Sequence, residues 1–196
     1  MGLTNSTTNN NKIVIIVDGK FSIRLPDGVD NEKAVERTLK KGVNAGKVVK
    51  ELQYTGLEGK IKHLDFEESD WGSNFITVLE DSEGERFRLQ MSVNSQFFGQ
   101  YAKRMPNINE KEPIFFGIGF DKEKQRNFLF IKQNDVKVPM MHTKDNPNGM
   151  PPPETKTVQG KEVWDWTAQE NFLYEVALEF SNFKESPIEE GEEIPF

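Results

Sequence analysis

Apolar residues in this chain occur in short runs, none of which is longer than a β-strand. The longest runs are residues 13–17 and 114–120, far below the roughly 18 apolar residues that a membrane-spanning helix needs. Most runs are rich in Val, Ile and Phe and are bounded by Gly, Pro, Asn or Asp, the pattern of strands separated by turns. The sequence therefore predicts a mainly β protein that does not associate with a membrane.

The runs follow a definite order. Residues 12–17 and 20–25 flank Asp18 and Gly19, a dipeptide that favours the type I′ turn of a β-hairpin. Further β-type runs span residues 47–54, 59–66, 74–80, 86–93, 112–120 and 127–132. Between about residues 47 and 138 the predicted elements are three strands, a short helix and two strands. This is the order of elements in the OB-fold. We therefore expect a five-stranded OB-fold-like Greek-key barrel, preceded by an N-terminal β-hairpin extension.

Two helices are predicted around this strand pattern. Phe97, Phe98 and Tyr101 recur at helical spacing and predict the short inter-strand helix, which ends before a proline. Near the end of the chain, Thr167 and Glu170 form the T-x-x-E pattern of a capping box. The apolar stripe that follows predicts a C-terminal helix over residues 168–183, packed on the sheet.

The two ends of the chain differ in composition from the middle. Residues 1–11 are polar and predict a disordered leader, and residues 12–184 form the predicted single domain. Residues 185–196 contain five Glu and no basic residue, so this predicted disordered acidic tail leaves only −2 of the net charge of −7 to the rest. The Pro-rich residues 146–153 cannot sustain a helix, and we expect an extended arm docked on the domain.

The last five residues are Glu192, Glu193, Ile194, Pro195 and Phe196. This ending resembles the acidic tail of bacterial single-stranded-DNA-binding proteins, which end in a few Asp followed by Ile-Pro-Phe. The late start of the predicted barrel and the lack of a long Gly/Gln-rich linker make the chain more similar to a divergent, phage-type member. The resemblance implies a tail that recruits replication or recombination proteins, such as a polymerase, helicase, primase or nuclease. The implied partner-binding residues are Glu189, Glu190, Glu192, Glu193, Ile194, Pro195 and Phe196.

Binding of a single strand requires cations that follow the phosphates and exposed aromatic rings on which bases stack. The cations with the best-defined orientation are Arg86 and Arg88, because clean alternation in the run 86–93 places both on its polar face. Trp164 and Trp166 are expected to pack onto the domain rather than to stack on bases. The candidate DNA-binding residues are Lys60, Lys62, Trp71, Phe75, Arg86, Arg88, Phe128, Phe130 and Lys132.

Catalytic and metal-binding patterns are weak. The chain has no cysteine, and its two histidines, His63 and His142, have no partner at metal-ligand spacing. The acidic residues Asp65, Glu67, Glu68 and Asp70 could in principle hold Mg²⁺, but no Gly-rich phosphate loop accompanies them. We therefore expect a binding protein that is not an enzyme and needs no cofactor.

The sequence thus predicts a sequence-independent single-stranded-DNA-binding protein that acts as a monomer or small homo-oligomer. Its expected location is the cytoplasm, that of the bacterial host if the protein is phage-encoded. Two alternatives stay open, an OB-like protein–protein adaptor that does not bind DNA tightly and an acidic mimic of DNA. The mimic is disfavoured because the acidic residues concentrate in the tail while the strands carry Lys and Arg.

Overall fold

The short apolar runs form strands, and ten of the twelve strands seen in the described residues join one sheet. The computed structural model describes residues 12–40, 42, 44–69 and 72–182, so the predicted leader and acidic tail lie outside the described residues. The strands are β1 (Lys12–Val17), β2 (Lys20–Arg24), β3 (Val35–Thr38), β4 (Val48–Tyr54), β5 (Gly56–Ser69), β6 (Gly72–Glu80), β7 (Arg86–Ser92), β8 (Ile114–Asp121), β9 (Arg126–Gln133), β10 (Val136–Lys137), β11 (Glu154–Val158) and β12 (Lys161–Asp165). The helices are α1 (Gln96–Ala102) and α2 (Thr167–Asn182), with a 3-10 turn at Met105–Asn107.

The large sheet is mixed and has the strand order β10-β9-β8-β5-β6-β7-β1-β2-β4-β3. The expected five-stranded OB-fold-like barrel is wrong, because within the described residues no closed barrel is found and the sheet ends at β3 and β10. The predicted N-terminal extension is instead part of the sheet. Strand β1 runs parallel to β7, with Val14 beside Leu89, and so satisfies the backbone groups along the edge of β7.

The local predictions for the first hairpin and for α1 are confirmed. Asp18 and Gly19 have φ angles of 48° and 77°, and both are positive as a type I′ turn requires. Helix α1 begins after Ser95, whose side-chain oxygen accepts a hydrogen bond from the backbone N–H of Phe98 at 3.2 Å. The side chain of Ser95 thus satisfies one backbone donor that the helix itself leaves unpaired.

The hydrophobic core lies between the sheet and the two helices. Tyr101 of α1 is fully buried and meets Phe116 of β8 edge to face, with ring centroids 5.0 Å apart. Burial raises the pKa of the Tyr101 hydroxyl. Other core side chains with no more than 3% exposure include Val14, Phe21, Phe75, Leu79, Leu89, Met91, Phe98, Met105, Ile114, Leu129 and Ile131.

Helix α2 packs mainly against α1 and the 3-10 turn, through its buried residues Leu173 and Ala177. It also reaches the sheet, where Tyr174 contacts Phe66 of β5 with ring centroids 4.3 Å apart. The prediction that a C-terminal helix packs directly on the sheet is therefore only partly right, because α1 and the 3-10 turn lie between them.

The Pro-rich arm at residues 146–153 is docked on the domain, as predicted. Met150 is 6% exposed and belongs to the core, and the carbonyl oxygen of Pro151 accepts a hydrogen bond from the Gln169 side chain at 3.2 Å. The arm therefore connects β10 to the β11–β12 hairpin while covering part of the core.

A carboxylate, rather than the predicted capping box, holds the start of α2. One oxygen of Asp165 accepts hydrogen bonds from the Thr167 N–H at 3.0 Å and from the Thr167 hydroxyl at 2.6 Å. The Glu170 N–H bonds to the carbonyl oxygen of Trp166 at 2.8 Å. The capping-box prediction was wrong because the ionised carboxylate of Asp165, two residues before Thr167, is a strong acceptor for the Thr167 N–H and hydroxyl.

We expect this cap to make stability depend on pH in the acid range. Hydrogen bonds from Thr167, with a smaller contribution from Lys156, lower the pKa of Asp165 to about 2 from an ordinary value of 3.8. Because the folded-state pKa is lowered, the stabilisation is complete above about pH 4 and is lost as the pH falls through about 2. Thermal unfolding of the wild type and Asp165→Ala from about pH 2 to pH 6 measures this pH-dependent stabilisation. The difference in Tm between the wild type and Asp165→Ala should be constant above about pH 4 and should become smaller toward pH 2. A difference that does not depend on pH would contradict a role for the ionised carboxylate.

Candidate nucleic-acid interface

The outer face of the β8–β9 hairpin carries a row of three aromatic rings, here called the Phe stripe. Alternation along β9 places Phe128 and Phe130 on the same face, and Phe115 of β8 joins them from the neighbouring strand. Ring centroids are 6.1 Å apart from Phe115 to Phe130 and 6.3 Å apart from Phe130 to Phe128. All three side chains are half-buried.

Glycines lie beneath the rings of the Phe stripe. Gly117 pairs with Phe130 and Gly119 with Phe128 across the ladder, so each ring lies against a strand position that has no side chain. A β-carbon at Gly117 would come within 2.3 Å of the Phe130 ring, and one at Gly119 within 2.5 Å of the Phe128 ring. This arrangement stabilises glycine-containing strands, and it holds the rings against the sheet.

Three basic residues border the Phe stripe. Lys132 lies beside Phe115 in the β8–β9 ladder, Lys137 of β10 lies beside Lys132, and Arg126 lies at the other end of β9. None of the three forms an ion pair within the part of the chain that the structure describes. Two carboxylates lie in neighbouring register positions: Glu58 of β5 is opposite Phe115 in the β5–β8 ladder, and Asp121 is opposite Arg126 in the β8–β9 ladder. The face thus offers cations that remain available to an anionic ligand.

The structure brings Phe128, Phe130 and Lys132 together, as the sequence predicts for side chains two residues apart on one strand. Phe115 was missed by the sequence analysis. Its orientation could have been inferred from Gly117 and Gly119, because these glycines occupy the same face of β8 two and four residues further along.

The other predicted cations form a separate group on β5 and β7 and are largely neutralised. Lys62 and Arg86 both contact the carboxylate of Glu80, at 2.7 and 3.0 Å, and Arg88 pairs with Glu67. Hydrogen bonds from Lys62 and then Arg86 lower the pKa of Glu80. These side chains must leave an existing partner before they bind a phosphate. Lys60 is exposed on β5 and lies opposite Glu80 in the ladder.

Several other candidates differ from expectation. Phe75 has 0% exposure, and because a fully buried ring offers no surface to a base, this candidate is wrong. Trp71 and the tail residues 189–196 lie outside the described residues. Trp164 and Trp166 are exposed by 62% and 46%, so their expected packing onto the domain is also wrong.

Asp65, Glu67, Glu68 and the two histidines, which the structure describes, show no metal-binding geometry. Glu67 pairs with Arg88, and Asp65 lies 3.8 Å from His63. His142 is buried, with Nδ1 3.0 Å from the carbonyl oxygen of Pro147. Among the described residues, no group of three or more His, Cys, Asp or Glu could hold a metal ion.

Comparisons with protein-family models, curated proteins and solved structures find no match to this chain. None of the helices in the described residues is long and apolar enough to cross a membrane. The chemistry of the β8–β9 face is therefore the strongest guide to function.

Proposed function

We propose that this protein binds single-stranded DNA without sequence preference and protects it during DNA replication, recombination or repair. The Phe stripe and the cations beside it carry this proposal. Every base has an aromatic face, so stacking on the phenyl rings does not depend on sequence, and each stacked base contributes about 1–3 kcal/mol.

The spacing of the rings favours a single strand over a duplex. Neighbouring rings of the Phe stripe are 6.1 and 6.3 Å apart. Bases in a duplex strand follow one another at about 3.4 Å and are stacked on each other. A strand must therefore be extended and unstacked to place successive bases on successive rings, and a duplex cannot do this without opening.

The distribution of charge agrees with this proposal. The chain is acidic overall, but five of its acidic side chains lie in residues 185–196, while Arg126, Lys132 and Lys137 surround the Phe stripe. In the proposal, the acidic tail recruits partner proteins through its terminal Phe196 and competes with DNA for basic surfaces. The activity is binding without catalysis, in the bacterial cytoplasm if the protein is phage-encoded.

The proposal is tested by the fluorescence anisotropy of labelled oligo-dT titrated with the full chain and with a chain truncated after Lys184. We expect binding of single strands but not of duplex, and tighter binding after truncation. If three cations contact phosphates, affinity for single strands falls about 100-fold for a tenfold rise in salt concentration. No binding by either chain would exclude the proposal and favour a protein–protein adaptor.

We also expect Lys132 to contribute more to DNA binding than Arg86. Lys132 has no ion pair among the described residues, whereas Arg86 is 3.0 Å from Glu80. Lys132→Ala should weaken binding of every sequence and reduce the slope of log affinity against log salt by about 0.7, the share of one phosphate in single strands. Arg86→Ala, a matched loss of one exposed cation, should leave that slope nearly unchanged. A larger effect of Arg86→Ala than of Lys132→Ala would show that the strand follows β7 instead.

A further inference from the structure

A cleft of 610 Å³ lies at the Phe128 end of the Phe stripe, between α1, the start of β9 and the start of α2. Its lining includes Phe128, Arg126, Lys103 and Trp166. Its volume lies within the range of about 300–1,000 Å³ typical of small-ligand pockets. The cleft is continuous with the proposed DNA-binding face, because Phe128 and Arg126 belong to both.

The charge of the cleft favours an anion. Lys103 and Arg104 are consecutive residues at the end of α1, and with Arg126 they place three cations around the cleft against the single carboxylate of Glu170. Arg104 is buried and donates hydrogen bonds to the carbonyl oxygens of Gln100 at 2.6 Å and Val138 at 3.2 Å, so its position is fixed. Burial, and then the neighbouring Arg104, lower the pKa of Lys103, as expected for a cation without a counter-ion.

The aromatic lining favours a base. Trp166 lines the cleft and is 46% exposed, and it follows the β11–β12 hairpin, whose residues are nearly all exposed. An indole is among the best surfaces for stacking and for contact with cations. Phe128 also lines the cleft, so a base that enters it meets two aromatic residues and a cation for its phosphate.

We propose that a single strand bound on the Phe stripe continues into this cleft, where Trp166 and Phe128 contact one base and Lys103 binds its phosphate. This inference rests on the proposed function. It assigns a direction to the bound strand across the protein, from the β8–β9 hairpin toward the start of α2, and it makes the binding site longer than the Phe stripe alone.

The experiment compares oligo-dT of about four nucleotides, which covers the Phe stripe, with oligo-dT of about twelve, which also reaches the cleft. Trp166→Ala should weaken binding of the longer strand by about 5- to 150-fold, which corresponds to the loss of one stacked base. Lys103→Gln should also weaken binding of the longer strand, and both variants should bind the shorter strand like the wild type. Trp164→Ala is the neighbouring control: Trp164 is an exposed indole that does not line the cleft, and because its ring centroid is 6.3 Å from that of Trp166, this variant also measures the effect of removing that contact alone.

Tryptophan fluorescence at saturating DNA provides a second readout, which reports contact with the indole rather than affinity. A variant that retains only Trp166 should lose fluorescence on binding the longer strand, and a variant that retains only Trp164 should change little. If the wild type binds both strands but Trp166→Ala behaves like Trp164→Ala and Trp166 is not quenched, the cleft is excluded and the proposed function stands. If the wild type binds neither strand, both proposals fail.

Discussion

Replacement of both Phe128 and Phe130 by alanine is expected to lower the affinity for oligo-dT at least 30-fold. Two stacked bases are lost at about 1–3 kcal/mol each, and about 1.4 kcal/mol corresponds to a factor of ten in affinity. Anisotropy titration at one fixed salt concentration measures the effect. Both rings are only half-buried, so the fold should be retained, and circular dichroism and thermal unfolding check this.

The matched control for this experiment is Phe120→Ala. Phe120 lies on the same hairpin and is 52% exposed, but alternation places it on the face opposite the Phe stripe. This variant should bind oligo-dT like the wild type. If the double variant folds and keeps its affinity, the Phe stripe serves only to cover Gly117 and Gly119, and the DNA-binding face must lie elsewhere.

Arg37→Ala is expected to destabilise the β3–β4 end of the sheet by about 3–5 kcal/mol. Arg37 of β3 forms a bidentate pair with Glu51 of β4, with its Nε 3.0 Å from one carboxylate oxygen. The Glu51 side chain is only 1% exposed, while that of Arg37 is 24% exposed. Removal of the guanidinium therefore leaves a carboxylate buried without a partner. Urea unfolding and amide hydrogen exchange of β4 measure the global and local parts of the loss.

Lys47→Ala provides the comparison for Arg37→Ala. Lys47 pairs with Asp27 at 2.8 Å, but both side chains are well exposed, and exposed pairs contribute only about 0–1 kcal/mol. Joint replacement of Arg37 and Glu51 by leucine should recover much of the stability, because no unpaired charge then remains. If Arg37→Ala costs no more than Lys47→Ala, the Glu51 carboxylate must reach water in the folded protein.

Features set by neighbouring residues were predictable from the sequence. The type I′ turn at Asp18 and Gly19, helix α1 and the common face of Phe128 and Phe130 all follow from local spacing. The strand order was not predictable in this way, because the edge of β7 can be paired by any strand that reaches it. Local patterns do not show that a parallel strand from the start of the chain occupies that position.

The error at Phe75 has a different physical cause. On β6 the residues of both faces are buried, since Ile76 and Val78 are 1% and 7% exposed as well as Phe75 and Leu79 at 0%. A strand covered on both sides has no polar alternation, so the sequence cannot show which rings are accessible. On β9 the residues from Phe128 to Ile131 are likewise all apolar, and only the structure shows that Leu129 and Ile131 are buried while the two rings are half-buried.

The parallel pairing of β1 with β7 also determines the order in which the chain can fold. Strand β1 is synthesised before the other described strands, but it lies beside Phe87 and Leu89, which leave the ribosome only after β2 to β6. Strand β2 can pair with β4 as soon as β4 is made, but the other edge of β1 stays unpaired until the β5–β7 meander exists. Pairing between residues this distant in sequence slows folding. During that interval the apolar strand Lys12–Val17 presents an edge of unpaired backbone groups, which is a site for aggregation.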